Sequence, residues 1–123
     1  MGALTNLEIG SVVVTLVEGI PTAISGLTAT LVNNNVYLAN LITGNSISVD
    51  AITDEYQPGV TNMTIGDVLG LMGAQGIGTK SVKIGELAIT KGMNDMSSQS
   101  WKDMGIEQLK RIGEDISWYQ TYT

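Results

Sequence analysis

The densest group of reactive side chains is Asp50, Asp54 and Glu55, three carboxylates within six residues. Carboxylates alone can hold a hard cation or act as an acid–base pair. Their spacing is not that of a calcium loop, and the chain has neither His nor Cys to complete a transition-metal site. Without His the commonest general base is missing, so a Ser-His-Asp triad cannot be built. A solvated acidic turn leading into a helix is the reading this spacing favours. The stretch "GAQGIGTK" sets Gly73 and Gly78 at the separation of a phosphate loop, but Thr79-Lys80 reverses the Lys-Thr order that loop needs. It also leads into a predicted strand, whereas phosphate loops open a helix. A flexible loop is expected there. Asn62-Met63-Thr64 matches a glycosylation triplet, inside a predicted helix and with no secretion signal before it. These residues assign no catalytic, cofactor-binding or metal site.

The elements that must position any site read as mainly helical. Residues 7–18, "LEIGSVVVTLVE", are ambiguous, because Val12, Val13, Val14 and Thr15 favour a strand by propensity. A turn follows at Gly19-Ile20-Pro21. From Leu27 to Thr43 the positions Leu27, Leu31, Leu38 and Ile42, flanked by Val32, Val36 and Leu41, predict a helix, with Gly44 as its stop. Asn33, Asn34 and Asn35 speak against it, since Asn is a poor interior helix former. Residues 48–55 have room for a short helical turn. Pro58 suits the first turn of a helix to about Met72, with Ile65, Val68, Leu69 and Met72 on its buried face.

Later in the chain, "SVKIGELAITKG" (Ser81 to Gly92) predicts one extended strand or hairpin near 81–91. A lone strand has no sheet to join, so its backbone groups need an outside partner. A last helix is expected over Trp101 to Ile116, with Trp101, Leu109, Ile112 and Ile116 on one stripe and Glu107 in reach of Lys110 or Arg111. The tail "SWYQTYT" gathers Trp118, Tyr119 and Tyr122, aromatics that suit either a cover for the core or anchors for a partner. The expected organisation is one domain over 1–116, a small bundle of three to five helices, and a docking tail over 117–123.

Composition narrows the function. The 123 residues include 15 Gly and no Phe, a core short of bulk that favours an oligomer. All six cations lie beyond position 79, while Glu8, Glu18, Asp50, Asp54, Glu55 and Asp67 precede them. Nucleic-acid binding needs cations to displace counterions, so specific DNA or RNA binding is not expected. An acidic surface that lets nucleic acid pass is compatible with this pattern. The start lacks a basic signal region, and the apolar run Val12–Val17 is too short to span a bilayer, which predicts a soluble protein with no membrane partner.

The order of segments adds a resemblance. "GIPTAISG", a helix ending "VYLANLITG", then "YQPGVTNMTIGDVLGLM", a Gly-rich loop, "SVKIGELAITKG" and a last helix with "IEQLKRIG" resemble the small head–tail connector (adaptor, or head-completion) proteins of tailed bacterial and archaeal viruses. The likeness runs from about Gly19 to Gly113. It implies a helical bundle, with "SVVVTLVEG" helical against its propensity. It also implies a twelve-fold ring beneath the portal, made in the host cytoplasm and placed at the head–tail interface of the virion. Such a ring extends the DNA channel, offers a platform for the tail, and has no enzymatic activity and no cofactor. Its partners would be its own copies, the portal and a tail or tail-completion protein, with DNA passing unbound. On this reading Val82, Ile84, Leu87, Ile89, Trp118, Tyr119 and Tyr122 make the subunit or portal contacts, the strand by addition to a neighbour.

Two other classes stay open. The apolar, Thr/Val-rich N-terminal third also suits a self-assembling surface or filament subunit. A small carboxylate enzyme would need a pocket joining Asp54 or Glu55 to a second acid.

Overall fold

The computed structural model describes residues 2–76 and 98–121, with side chains in the last helix described up to Ile112. Five helices make up the described chain: α1 Asn6–Leu16, α2 Thr22–Ser25, α3 Thr28–Thr43, α4 Gln57–Ala74 and α5 Ser98–Thr121. Among the described residues there is no strand, only the isolated antiparallel bridges Leu4–Ile52 and Ser48–Ala51. The expected strand, with Val82, Ile84, Leu87 and Ile89, lies outside the described residues.

The ambiguity over residues 7–18 resolves as helix. Thr5 Oγ1 accepts from the Glu8 backbone N–H at 3.1 Å, while Glu8 Oε1 accepts from the Thr5 N–H at 2.9 Å. This reciprocal capping box starts α1. Burial then outweighs propensity. A valine costs at most about 0.7 kcal/mol relative to Ala in a helix. Fully burying a Val or Ile side chain returns about 1.5–3 kcal/mol, and Ile9 and Val13 of α1 are buried, while Val17, also buried, caps the helix in an extended conformation. Gly19 at φ +84° turns the chain toward Pro21.

Helix α3 forms despite its Asn triplet and ends at Gly44, which adopts φ +76° and donates its N–H to Asn40 O. Its buried arc takes in the flanking Val32 and Val36, with Leu31, Leu38 and Ile42 half-buried at its margins and packed against the core. Val32, Asn35, Val36 and Ala39 are buried, while Leu27 and Leu41 are exposed. The arc is wide because α3 packs against α1, α4 and α5 together, and a buried asparagine sits at its centre.

Residues 48–55 form hydrogen-bonded turns, with Ala51 N–H donating to Ser48 O at 3.1 Å and Tyr56 N–H to Thr53 O at 3.0 Å, and no helix of their own. Asn40 clamps Ile47 by accepting from its N–H at 2.9 Å and donating to its carbonyl at 3.2 Å. Leu4 and Ile52 exchange both backbone hydrogen bonds, at 2.9 and 2.8 Å. Ile52 and Tyr56 thereby enter the core. Helix α4 begins with Pro58 in its first turn, as predicted, and continues to Ala74. Gly73 and Ala74 therefore belong to the helix and not to a loop.

Two apolar clusters fill the bundle. One joins Ile9, Val32, Val36, Ile52, Tyr56, Val60, Met63 and Leu109. The other joins Val13, Val17, Ile24, Ile65, Val68, Met72 and Trp101. Between them α4 and α5 meet almost backbone to backbone. A Cβ on Gly105 would lie 2.5 Å from Gly59 O, and one on Gly66 would lie 2.7 Å from Ser98 O. The glycines that thin the core are what let these two helices close.

Candidate interaction surface

One charged side chain stands on the otherwise uncharged helix α4, and it is Asp67. It faces Lys102 of α5, whose Nζ donates to Asp67 Oδ1 at 2.7 Å and to Asn35 Oδ1 at 3.1 Å. Asn35 is fully buried on α3, and its Nδ2 donates to Asp67 Oδ2 at 2.9 Å and to Thr64 Oγ1 at 3.0 Å. Thr64 in turn donates to Val60 O at 2.8 Å. A buried amide without partners would be costly, so this closed network fixes the register of three helices at once.

The network opens onto a cleft of about 460 Å³ between α3, α4 and α5. Asp67 and Lys102 neutralise each other there, each 23 % exposed. The arrangement holds helices together, because its charged groups are already committed to one another.

The Asn triplet thus divides its work. Asn33 accepts from Asn6 Nδ2 at 2.8 Å and ties α3 to α1. Asn34 is exposed, and Asn35 centres the network. Sequence reasoning passed over Asn35, Thr64, Asp67 and Lys102. Two signals stood in plain view: a lone charge on an apolar helix, and three amides in another.

Asp50, Asp54 and Glu55 are all exposed, with Asp54 and Glu55 just ahead of α4, where the helix dipole favours negative charge. Among the described residues no group of three potential ligands could hold a metal ion. The glycosylation triplet is structural. Asn62 donates to Gln108 Oε1 at 2.8 Å, and Thr64 is fully buried. Among the described residues the expected pairing of Glu107 with Lys110 or Arg111 is not made, and Lys102–Asp67 is the ion pair joining α5 to α4.

Of the predicted contact residues, Trp118 and Tyr119 fall in α5, which runs five residues past the expected end at Ile116. The backbone of 117–121 is therefore a continuation of the helix and not a separate tail. Tyr122 lies outside the described residues.

The described surface also presents several large apolar side chains. Leu7 is 66 %, Tyr37 65 % and Leu41 63 % exposed, with Leu27, Val12 and Val14 also open. A groove of about 470 Å³ separates Leu7 and Val14 of α1 from the start of α3. Residues 2–76 carry six carboxylates and no cation. Among the described residues no helix is long and apolar enough to cross a membrane. Comparison with protein-family models, with curated proteins and with solved structures finds no match.

Proposed function

We propose that this chain is a structural, self-assembling protein, and specifically a head–tail connector of a tailed virus. On this reading its copies form a ring under the portal that extends the DNA channel and carries the tail. The observation that carries the reading is a helical bundle with exposed apolar helix faces and no cation over residues 2–76. A wall lined with such residues lets DNA slide past, since it offers no counterion-releasing contact. The segment order from Gly19 to Gly113 supports the same reading. Val82, Ile84, Leu87, Ile89, Trp118, Tyr119 and Tyr122 are proposed as contacts with neighbouring subunits or the portal. The assembly would be twelve-fold and would sit at the head–tail interface.

A self-assembling surface or filament subunit is the second reading, favoured by exposed Leu7, Val12 and Val14 on α1. The genes beside this one, and the proteins they encode, separate the two. Portal, capsid and tail-completion genes are expected, and the chain should co-purify with that portal as a complex of fixed stoichiometry. A neighbourhood without them, or a portal that ignores the chain, contradicts the connector reading.

A further inference from the structure

Residues 19–49 carry no charge, and they build α2, α3 and the loop after it. Helix α3 is thus a surface helix without a single charged side chain. Its outward ridge is Thr30, Asn34, Tyr37 and Leu41, all exposed and spaced as one helix face. A separate groove of about 470 Å³ lies between α1 and the start of α3, and its α1 wall holds Leu7 and Val14.

We propose that this face docks a second copy of the same chain, with Tyr37 and Leu41 of one copy seated between Leu7 and Val14 of the next copy's α1 and the start of its α3, Leu41 against Val14. The charge pattern selects that partner. The chain carries a net charge of −6, so two copies repel wherever carboxylates face one another. The α3 ridge has none. A strongly charged partner gains no charge complementarity here, whereas a second acidic copy meets no repulsion. Interface cores are depleted in charge and enriched in Tyr, which is the character of this ridge. Ridge and groove are different patches, so the contact is heterologous and repeats from copy to copy, closing as a ring or continuing as a fibre. The inference rests on the self-assembly reading and names its contact.

The test compares the full chain with Tyr37→Glu/Leu41→Glu and with Thr53→Glu, a control on the 45–56 connection. Assembly is read by native mass spectrometry and folding by circular dichroism. The full chain and the control should assemble alike, while the double variant keeps its helical signal and needs at least about a hundredfold higher concentration. A second readout uses the absence of cysteine. Val14→Cys combined with Leu41→Cys should give disulfide-linked multimers on oxidation, and this pair decides the matter if the double variant unfolds. Assembly untouched by the two glutamates, or an oxidised pair that stays single-chain, overturns the proposed contact while self-assembly stands. A full chain that stays monomeric at every concentration overturns both.

Discussion

Lys102 Nζ lies 2.7 Å from Asp67 Oδ1 across the α4–α5 seam, with both side chains 23 % exposed. A pair that is partly solvated is screened, and by itself contributes little. Its weight comes from Asn35, fully buried, which bonds to both partners and to Thr64. The amide is where three helices meet.

Replacing that amide should therefore cost more than replacing its neighbour. Asn35→Ala leaves Thr64, Asp67 and Lys102 each short of a partner and opens a small cavity, at about 2–4 kcal/mol. Asn34→Ala, on the exposed face, should stay within about 0.5 kcal/mol. Urea unfolding of both variants measures the contrast. Equal effects would mean the network is incidental.

Glycines at the helix seam should behave oppositely to an open one. A Cβ on Gly105 would sit 2.5 Å from Gly59 O and 2.9 Å from Met63 N. Gly105→Ala must push α4 and α5 apart, at about 1–3 kcal/mol net of its better helix propensity. Around Gly73, inside α4, nothing lies within 4 Å of the added Cβ. Gly73→Ala should stabilise by about 0.5–1 kcal/mol. Thermal melts with opposite signs are the expected outcome.

The helices were largely legible because their apolar residues recur at helical spacing, and Pro58 and Gly44 mark ends that residue chemistry dictates. Residues 7–18 were not, since valine-rich runs favour strands until tertiary burial decides. The capping box of Thr5 and Glu8 was the signal that reads correctly there. At the centre of the α3 arc, Asn35 was read only as a poor helix former, and it is fully buried. An amide counts as buried only once its partners are known, and Asp67 and Lys102 lie 32 and 67 residues further along the chain. The glycines were read as entropy cost, whereas Gly59, Gly66 and Gly105 serve close packing.

Deleting Ser117–Thr123 removes the last turn of α5 together with Trp118, Tyr119 and Tyr122. As proposed interface anchors, each aromatic contributes about 2 kcal/mol, or roughly thirtyfold in affinity. The truncated chain should keep its melting temperature and lose assembly. Unfolding, or assembly as tight as that of the full chain, would refute their role as anchors.

Duplex DNA should bind weakly at physiological salt. Residues 2–76 have no Lys or Arg, Lys102 is committed to Asp67, and the other five cations, Lys80, Lys83, Lys91, Lys110 and Arg111, share the chain with twelve carboxylates. The counterion-release contribution is then small. Fluorescence anisotropy with a random duplex should show no saturation in the micromolar range. Sub-micromolar affinity would point to a nucleic-acid-binding role instead.

The most direct measurement is the mass distribution of the purified full chain, followed by native mass spectrometry as concentration rises from micromolar to millimolar. A closed ring gives one discrete oligomer, with twelve subunits expected, and its mass stops growing once formed. A chain that remains monomeric throughout, or a mass that climbs without limit into open fibres, contradicts the connector.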